Sequence, residues 1–573
     1  MQRTFKAQSN GTNGHTNGTN GVDQDVLELD AVIIGGGFAG VYLLHRLRQN
    51  GFKVKIIEAG SAVGGIYITV PYTKFFQGHW NNYPGARVDS PWPVYQLNIP
   101  EVFETFAWKQ TYPDAKELQQ YFEHADKVLD LSKDTIYNTR VESVAWDESQ
   151  RQWSVTSHTG LKVKARYLNC CLGFAAKRHL PDWPGIDDFK GYICHSSFWP
   201  KEGVDMRGKR VACVGSGATG VQIAQESAKT AEHLTVFVRT PNTCIPMNQK
   251  LVDPEESKMY LAENSTLLRK EMTRRYGTIG GFLFAHPVKN LSETPKEERD
   301  AILEEAWRLG GFRILFTFAD LQTDESSSRY VYDLWASKVR ARISDPVKRD
   351  ILAPLVPPHA FGGKRPSLEQ DYYEQLDKPH VNVVNVKNTP IEKFVPEGIV
   401  TKDGKLHELD IVAMATGFDS LTGSFMQIDI RGEGGRELKE YWSGDQGALS
   451  YLGLTVNGFP NMFYTYGPHS PTAYGNGPSI VEPQCEWILE TMKRMNKNGQ
   501  TKIVADAQAE QDWKNTVNTL HALTLRDKVD SWYMGTNIPG KPRQALNYAG
   551  GLKLYNDTIA EKLEKNWEGF HVS

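Results

Sequence analysis

The chain has 573 residues and a mass of 64.5 kDa, which is more than one hydrophobic core serves, so we expect two or more domains. Its net charge is −3, which gives no reason to expect nucleic acid or an acidic membrane surface as a partner. The six cysteines have neither metal-ligand spacing nor the density of a disulfide framework. We therefore expect no metal site and a reducing compartment, with the cytoplasm as the default location.

The N-terminal stretch is rich in Gly, Asn and Thr and lacks the apolar core of a signal peptide. Such a composition buries too little apolar surface to fold, so we predict a disordered tail over residues 1–28. No apolar run in the sequence approaches the roughly 18–20 residues of a membrane span, so no membrane partner is expected.

A complete βαβ unit begins at Leu29. An apolar strand leads into a G-x-G-x-x-G turn formed by Gly35, Gly37 and Gly40, and an amphipathic helix and a second strand follow. In such a turn the first glycine makes the bend, the second lets the backbone approach a diphosphate, and the third lets the helix pack on the strand. Glu58, at the end of the second strand, is placed to accept hydrogen bonds from a ribose diol. The unit predicts a site for an adenine dinucleotide without a 2′-phosphate.

A second unit of the same pattern lies near the middle of the chain, with Gly215, Gly217 and Gly220 between a strand and a helix. Where the first unit has an acid, this one has Arg239, followed by Thr240. An Arg fork binds a 2′-phosphate and has no use for a plain ribose diol, so this unit predicts NADP(H). An Arg exposed on a surface loop is the alternative interpretation.

Two such units with opposite end residues imply FAD and NADPH on one chain, so that a hydride can pass between them. The apolar strand within residues 410–420 ends in Ala-Thr-Gly and is typical of the point at which such a chain returns to its FAD domain. We therefore predict an α/β fold with two Rossmann-like dinucleotide-binding domains, the NADP domain being inserted in the FAD domain and accompanied by a helical subdomain.

Residues 189–200, just ahead of the second unit, carry the pattern F-x-G-x-x-x-H-x-x-x-W-P. This pattern resembles the fingerprint of the type I Baeyer–Villiger monooxygenases, a group of class B flavoprotein monooxygenases. The resemblance implies a hinge between the two domains, in which His195 and Trp199 belong to the cofactor-binding residues and couple domain motion to cofactor position. For His195 a structural hydrogen-bonding role is favoured over proton transfer. The family usually has Asp or Gly after the Trp-Pro pair, whereas Lys201 stands here, and related enzymes that oxygenate nitrogen or sulfur tend to have Lys.

A second family pattern is similar to WNNYPGARVD, which runs from Trp80 to Asp89. The family commonly has a Trp directly after the preceding glycine pair, but this chain has Ile66 and an apparent insertion before Trp80, which leaves the local alignment open. The resemblance implies that Arg365 is the catalytic residue and that Lys364 assists recognition of the NADP 2′-phosphate. Asp89 is the carboxylate that would orient the guanidinium of Arg365. A purely structural Arg–Asp pair between domains is the alternative.

The segment 531–551 looks like the family's late active-site loop, which folds over the nicotinamide cofactor. The matching positions are Trp532, Asn537 and Lys541, and a simple surface turn is the alternative. Residues 464–478 are similar to the family's Gly-Pro loop beside the flavin, where we expect backbone packing rather than side-chain catalysis.

The resemblance also divides the chain into six successive segments. These are a tail (1–28), the first segment of the FAD domain (29–175), the first segment of the NADP domain (176–245), a helical subdomain (246–355), the second segment of the NADP domain (356–405) and the second segment of the FAD domain (406–573). A monomer is expected.

The resemblance implies an NADPH-dependent flavoprotein monooxygenase. In that chemistry NADPH reduces FAD, O2 forms a C4a-peroxyflavin, and one oxygen atom is inserted next to a ketone carbonyl to give an ester or lactone. One alternative is a flavin monooxygenase that performs N-hydroxylation or sulfoxidation, which needs no Arg–Asp pair. Another is a flavoprotein with a binding or sensing role. The identity of the ketone is not readable from the sequence, because an apolar pocket discriminates by shape.

Overall fold

A computed structural model describes residues 26–67, 69–73, 76–79, 81–255, 257, 272–284 and 286–573. The first strand, Leu27–Ile34, begins two residues before the predicted boundary, because Leu27 and Glu28 pair with Val163 and Lys164. Residues 1–25 of the predicted disordered tail lie outside the described residues. Among the helices of the described ranges, none combines the length and the apolar character that a bilayer span requires.

The first sheet has eight strands, and its centre is Leu27–Ile34, which pairs in parallel with Val54–Ile57 on one side and Lys162–Cys170 on the other. Met462–Tyr464 also pairs with Lys162–Cys170. The order of the other seven strands across the sheet is Asp429–Arg431, Val141–Asp147, Gln152–Ser157, Lys162–Cys170, Leu27–Ile34, Val54–Ile57 and Thr135–Ile136. The parallel strands Leu27–Ile34 and Val54–Ile57 are buried on both faces at their carboxyl ends, residues 31–34 and 56–57, as expected for a sheet that is covered by helices.

The second sheet has five parallel strands, in the order Val381–Asn385, His233–Val238, Arg210–Val214, Ile411–Met414 and Tyr192–His195. This arrangement corrects the predicted boundary at residue 406. Ile411–Met414 was expected to return the chain to the first domain, yet it pairs with Arg210–Val214 in the second sheet. The error has a physical cause, since a short apolar strand looks the same in any buried parallel sheet.

Small sheets and helices complete the fold. The smaller sheets pair Thr69–Thr73 with Phe76–His79, Ile245–Pro246 with Leu368–Glu369, Ile503–Ala505 with Phe570–Val572, and Gly398–Thr401 with both Ile391–Val395 and Leu406–Glu408. The α-helices of the described residues are Phe38–Gln49, Pro100–Phe103, Ala115–Leu129, Ala218–Ser227, Lys296–Leu309, Glu325–Arg340, Pro346–Leu352, Tyr372–Asp377, Leu438–Ser443, Gly477–Lys497, Ala507–Ala522 and Leu552–Glu564.

Two of these helices show how the layers are joined. Phe38–Gln49 lies against Gly477–Lys497, and Arg46 donates hydrogen bonds of 2.6 Å and 3.1 Å to the Glu486 carboxylate. Glu325–Arg340, in the region predicted to be helical, is attached to the second domain by a 2.7 Å hydrogen bond from the Trp335 indole to the carbonyl of Cys244. Both sheets are thus covered by helices, as the predicted α/β fold requires.

Candidate active site

The first glycine turn has the geometry that an adenine dinucleotide requires. Gly35 has a φ of +103°, and a Cβ on Gly40 would overlap the carbonyl oxygen of Gly35. The helix Phe38–Gln49 starts at Gly37 with no side-chain cap from the described residues, so that its first N–H groups can bind a diphosphate. These residues fit the diphosphate of FAD.

Glu58 is buried at the end of the neighbouring strand, and its two carboxylate oxygens accept hydrogen bonds of 2.6 Å from the N–H groups of Gly36 and Gly60. Each oxygen keeps a further lone pair with which to accept a ribose hydroxyl. Burial raises the pKa of Glu58, and the backbone N–H groups oppose that effect by stabilising the charged form. The carboxylate is therefore held in one orientation by the turn itself.

The second glycine turn repeats this geometry. Gly215 has a φ of +117°, and a Cβ on Gly220 would overlap the carbonyl oxygen of Gly215. Gly217 precedes the helix Ala218–Ser227, which again has no side-chain cap from the described residues. No atom of the described residues lies within 4 Å of the position that a Cβ on Gly217 would take, so packing among them does not require this glycine. A close approach of the diphosphate to the backbone accounts for it instead.

Two cations lie beside the second turn. Arg239 follows the strand His233–Val238 and is exposed, while the carbonyl of the next residue, Thr240, accepts a 2.7 Å hydrogen bond from the Ser216 hydroxyl. Burial lowers the pKa of Lys364, and the nearby charge of Arg239 lowers it further. Neither cation forms an ion pair within the described residues. The charge of Asp530 offsets part of this effect on Lys364, and the two neighbouring cations fit a phosphate group.

Arg365 and Asp89 form a bidentate pair, with Nε 2.7 Å from Oδ2 and Nη2 2.8 Å from Oδ1. A third hydrogen bond, of 3.2 Å, joins Arg365 Nη1 to the carbonyl of Ala473. Burial alone would lower the pKa of Arg365, but the charge and hydrogen bonds of Asp89 raise it by more, so that the guanidinium is permanently charged. The expected partners are therefore brought together.

Aromatic side chains that were not predicted to belong to the site lie around Arg365 and Asp89. The Arg365 guanidinium lies 4.5 Å from the centroid of the Phe312 ring, which is a cation–π contact. Tyr466 and Tyr533 are close enough for their pKa values to be affected by the charge of Arg365, although burial is the larger effect and raises both. The sequence did offer a signal for the two tyrosines, because Tyr533 directly follows Trp532 and Tyr466 lies within the 464–478 loop.

The loop that carries Asp89 touches the second glycine helix. The Tyr83 hydroxyl donates a 2.9 Å hydrogen bond to Gln222, and the Gln222 amide donates one of 3.1 Å to the carbonyl of Arg87. The segment before this loop, which looked like an insertion, contains the paired strands Thr69–Thr73 and Phe76–His79. Trp80, which opens the family pattern, lies outside the described residues.

The fingerprint peptide is more regular than a free linker. Its residues Tyr192–His195 form the edge strand of the second sheet, and His195 is 4% exposed. His195 Nδ1 accepts a 3.2 Å hydrogen bond from the N–H of Ser197, so its Nε2 carries the proton and donates to the carbonyl of Gly417 at 3.2 Å. Burial lowers the pKa of His195 to about 4, which keeps the ring neutral. This arrangement supports the structural role that was favoured.

Trp199 requires a correction. It was predicted to be one of the cofactor-binding residues, but it is 1% exposed and lies in the core formed with Val211, Cys213 and Val221. A side chain so deeply packed has no surface left to offer a bound molecule. Its influence on the cofactor site is therefore indirect, through the packing of the second domain.

The 531–551 loop packs on the joint between the domains. The Trp532 ring stacks on Phe174, with centroids 5.5 Å apart. Asn537 Nδ2 donates a 2.9 Å hydrogen bond to the carbonyl of Phe418, and Lys541 forms an ion pair with Asp419. The segment 416–420, which follows the misassigned strand, is therefore the place where the fingerprint peptide and this loop meet.

Comparisons with known proteins agree with this geometry. Residues 29–265 match the family model described as pyridine nucleotide-disulphide oxidoreductase. The chain is 42% identical over 547 residues to cyclopentanone 1,2-monooxygenase of Comamonas sp., covering 95% of this chain and 96% of that protein. It is 34% identical to a Baeyer–Villiger monooxygenase of Pseudooceanicola batsensis, covering 94% and 95% of the two chains.

Among solved structures, the chain resembles that of OTEMO in complex with FAD and NADP. The TM-score is 0.88 at 33% identity, covering 96% of this chain and 100% of that chain. These likenesses confirm the predicted fold class and both dinucleotides. The chain belongs to the FAD- and NADP-dependent Baeyer–Villiger monooxygenases.

Proposed function

We propose that this monooxygenase acts on an apolar ketone, with O2 as the source of the inserted oxygen atom, and that Arg365 and Asp89 are its catalytic pair. The observation that carries the proposal is the bidentate hydrogen bonding of these two residues between the two dinucleotide sites. Arg365 is adjacent to Lys364 on the NADP side. On the FAD side, Tyr466 lies near Tyr95, whose ring contacts Phe38 at 5.3 Å.

When both cofactors are bound, reduced FAD supplies the activated oxygen. Arg365 places a permanent positive charge where negative charge develops on oxygen, and such fixed charges stabilise a transition state without reorganisation. Asp89 orients the guanidinium through two hydrogen bonds and offsets part of the cost of desolvating it. Asp89 accepts from Nε and Nη2, and the carbonyl of Ala473 accepts from Nη1, which leaves one N–H on each Nη to face the reacting oxygen.

An apolar surface next to Arg365 supports a ketone with a hydrocarbon body. Phe312, beneath the guanidinium, contacts Phe282 at 5.8 Å, and Phe282 stacks on Phe284 at 5.3 Å. Phe282, Phe284, Ile279 and Phe316 also line a small hollow of about 10 Å³, which is too small to hold a ketone itself. We propose that the hydrocarbon body packs against these rings, which would exclude water from the reacting carbonyl.

The remaining assignments belong to the same proposal. We assign Gly35, Gly37, Gly40 and Glu58 to FAD, and the remaining cofactor contacts to NADP(H): Gly215, Gly217, Gly220, Arg239, Thr240, Lys364, Trp532, Asn537 and Lys541. His195 is assigned a supporting role, through its hydrogen bond to the carbonyl of Gly417. A monomer is proposed because both sites are complete within one chain. A cytoplasmic location is consistent with six cysteines that are all free and buried.

The test is oxygen-isotope labelling of the FAD-loaded enzyme with NADPH, ¹⁸O2 and a panel of cyclic and linear ketones. The proposal expects an ester or lactone that carries one ¹⁸O atom, formed in proportion to NADPH consumed. Oxygenation of amines or sulfides with no ester, and no dependence on Arg365, would instead assign the enzyme to nitrogen or sulfur substrates. Oxidation of NADPH that never yields an oxygenated product would support a binding or sensing role.

A further inference from the structure

Asp419 lies between two lysines from distant parts of the chain. Its Oδ2 is 2.8 Å from the Lys177 Nζ, and its Oδ1 forms the ion pair with the Lys541 Nζ. The backbone strengthens the first contact, since the N–H of Asp419 donates a 2.8 Å hydrogen bond to the carbonyl of Lys177. Lys541 also donates a 3.3 Å hydrogen bond to the carbonyl of Ser420.

The three residues belong to three segments that meet at the domain joint. Lys177 lies on the link that leaves the first sheet after Lys162–Cys170, and Asp419 follows the second-sheet strand Ile411–Met414. Lys541 belongs to the 531–551 loop. A single carboxylate therefore holds one segment from each domain and the loop that packs over their joint.

Burial makes this contact stronger than an ordinary surface pair. The side chains of Asp419 and Lys541 are only 9% and 18% exposed, while that of Lys177 is 42% exposed. Burial opposes ionisation of Asp419, but the two lysines lower its pKa below the usual value. Removing the carboxylate would leave the Lys541 ammonium partly buried and without its counter-ion, which is much less favourable than losing an exposed pair.

The loop connects this ion pair to the catalytic pair. Trp532, nine positions before Lys541, stacks on Phe174. The next residue, Tyr533, is 2% exposed, and its phenol lies beside the charge and the backbone of Arg365. A loop that moved away from Asp419 would therefore take with it a ring that packs against Arg365.

We propose that Asp419 is a positioning residue of the oxygenation reaction, which holds the 531–551 loop closed over the domain joint through Lys541 and Lys177. The inference rests on the proposed function, because it assumes that this loop covers the nicotinamide cofactor. Asp419 touches no reacting atom. It acts by keeping Trp532 and Tyr533 in place, so that water is excluded while oxygen is transferred.

The test is hydrogen–deuterium exchange of the FAD-loaded Asp419→Asn variant, with and without NADP⁺, followed by measurement of hydrogen peroxide released per NADPH oxidised. Asparagine keeps the shape and removes the charge. Exchange of peptides from 531–551 is expected to become about tenfold faster or more, with the helix Glu325–Arg340 unchanged as an internal reference. The peroxide fraction is expected to rise several-fold at an unchanged rate of flavin reduction.

Two further variants keep the inference testable if Asp419→Asn folds poorly. Lys177→Met removes only the more exposed lysine, so a smaller acceleration in the same loop is expected. Asp429→Asn is the matched control, because its carboxylate pairs with Arg431 at 3.0 Å on an exposed edge strand, and neither exchange nor peroxide release should change. Unchanged loop exchange in a folded Asp419→Asn enzyme would overturn the inference. Since exchange needs no ketone, this result is distinguishable from a failure of the proposed activity in the wild-type enzyme.

Discussion

Arg365 and Asp89 are joined by two hydrogen bonds, from Nε to Oδ2 and from Nη2 to Oδ1, although 276 positions separate them in the sequence. The two residues come from different segments, since Asp89 follows the loop that touches the second glycine helix and Arg365 follows Lys364 near Arg239. A geometry in which both carboxylate oxygens face the fork of a guanidinium fixes the orientation of the cation as well as its position. That fixed orientation is the basis of the first prediction.

Replacing Arg365 by Ala should abolish ester formation while NADPH still reduces the flavin. The variant loses the cation that we propose stabilises charge on oxygen, and loss of a single such group lowers kcat by about 10²–10³-fold. Ester and hydrogen peroxide should be measured together, because the oxidising equivalents are expected to leave as peroxide.

Arg329→Ala is the matched control for this change. The Arg329 guanidinium is 51% exposed and pairs with Asp333 four positions along the same helix, so ester yield should remain at the wild-type level. Ester formation that persisted in Arg365→Ala would remove Arg365 from the catalytic role.

The choice of nicotinamide cofactor should depend on Arg239. Arg239→Ala is expected to raise the KM for NADPH by about ten- to a hundredfold and to change the KM for NADH little, because the lost contacts are those of the 2′-phosphate. Steady-state NADPH and NADH oxidation with a fixed ketone measures both values. Lys364→Met should have the same effect, raising the KM for NADPH and changing the KM for NADH little, because the ammonium of Lys364 lies beside Arg239. An equal loss for both cofactors would assign Arg239 to some other part of the dinucleotide.

Local geometry explains why the two glycine turns could be predicted from the sequence. The spacing of Gly35 and Gly40, and of Gly215 and Gly220, is dictated by contacts within one turn and one helix, and the structure has those contacts. Glu58 and Arg239 follow from the same local rule, because each stands directly after the second strand of its unit.

Long-range packing explains what the sequence did not reveal. Phe312 and Tyr533 reach Arg365 from segments that lie 53 positions before it and 168 positions after it, and no local pattern marks such a meeting. Trp199 was misjudged because an aromatic residue in a short motif looks alike in a core and in a binding site. Asp419 follows a strand that was given to the wrong sheet, so its contact with Lys541 could not be expected.

His195 should make the enzyme sensitive to acid. Its pKa is about 4 in the folded protein and about 6.5 in an unfolded chain, so the folded state binds fewer protons between these values. The free energy of unfolding should therefore decrease as pH falls from 6.5 to 4, by at most about 3 kcal/mol from this residue.

The comparison with His195→Gln isolates this effect. Glutamine can still donate to the carbonyl of Gly417 and accept from the N–H of Ser197, but it does not titrate. Thermal midpoints of the FAD-loaded proteins between pH 7 and pH 4.5 should fall more steeply for the wild type than for the variant. Parallel curves would show that His195 has the same pKa in the folded and unfolded states, which would contradict the prediction.

An added methyl group should lower stability at Gly220 but should weaken only NADP⁺ binding at Gly217. A Cβ on Gly220 would overlap the carbonyl oxygen of Gly215, so Gly220→Ala should fail to hold the second domain together and should lower the thermal midpoint even without NADP⁺. Gly217 has an extended backbone, with φ −72° and ψ −174°, and no atom of the described residues lies within 4 Å of the added Cβ.

Gly217→Ala should therefore fold, retain FAD and keep the wild-type thermal midpoint in the absence of NADP⁺. Its affinity for NADP⁺ should nevertheless fall by about tenfold or more, because the methyl group would occupy the place where the diphosphate approaches the backbone. Titration calorimetry of the FAD-loaded protein measures this affinity directly. If Gly217→Ala bound NADP⁺ as tightly as the wild type, the diphosphate would have to lie elsewhere than at this turn. The contrast with Gly220→Ala thus separates the glycine that packing requires from the glycine that the ligand requires.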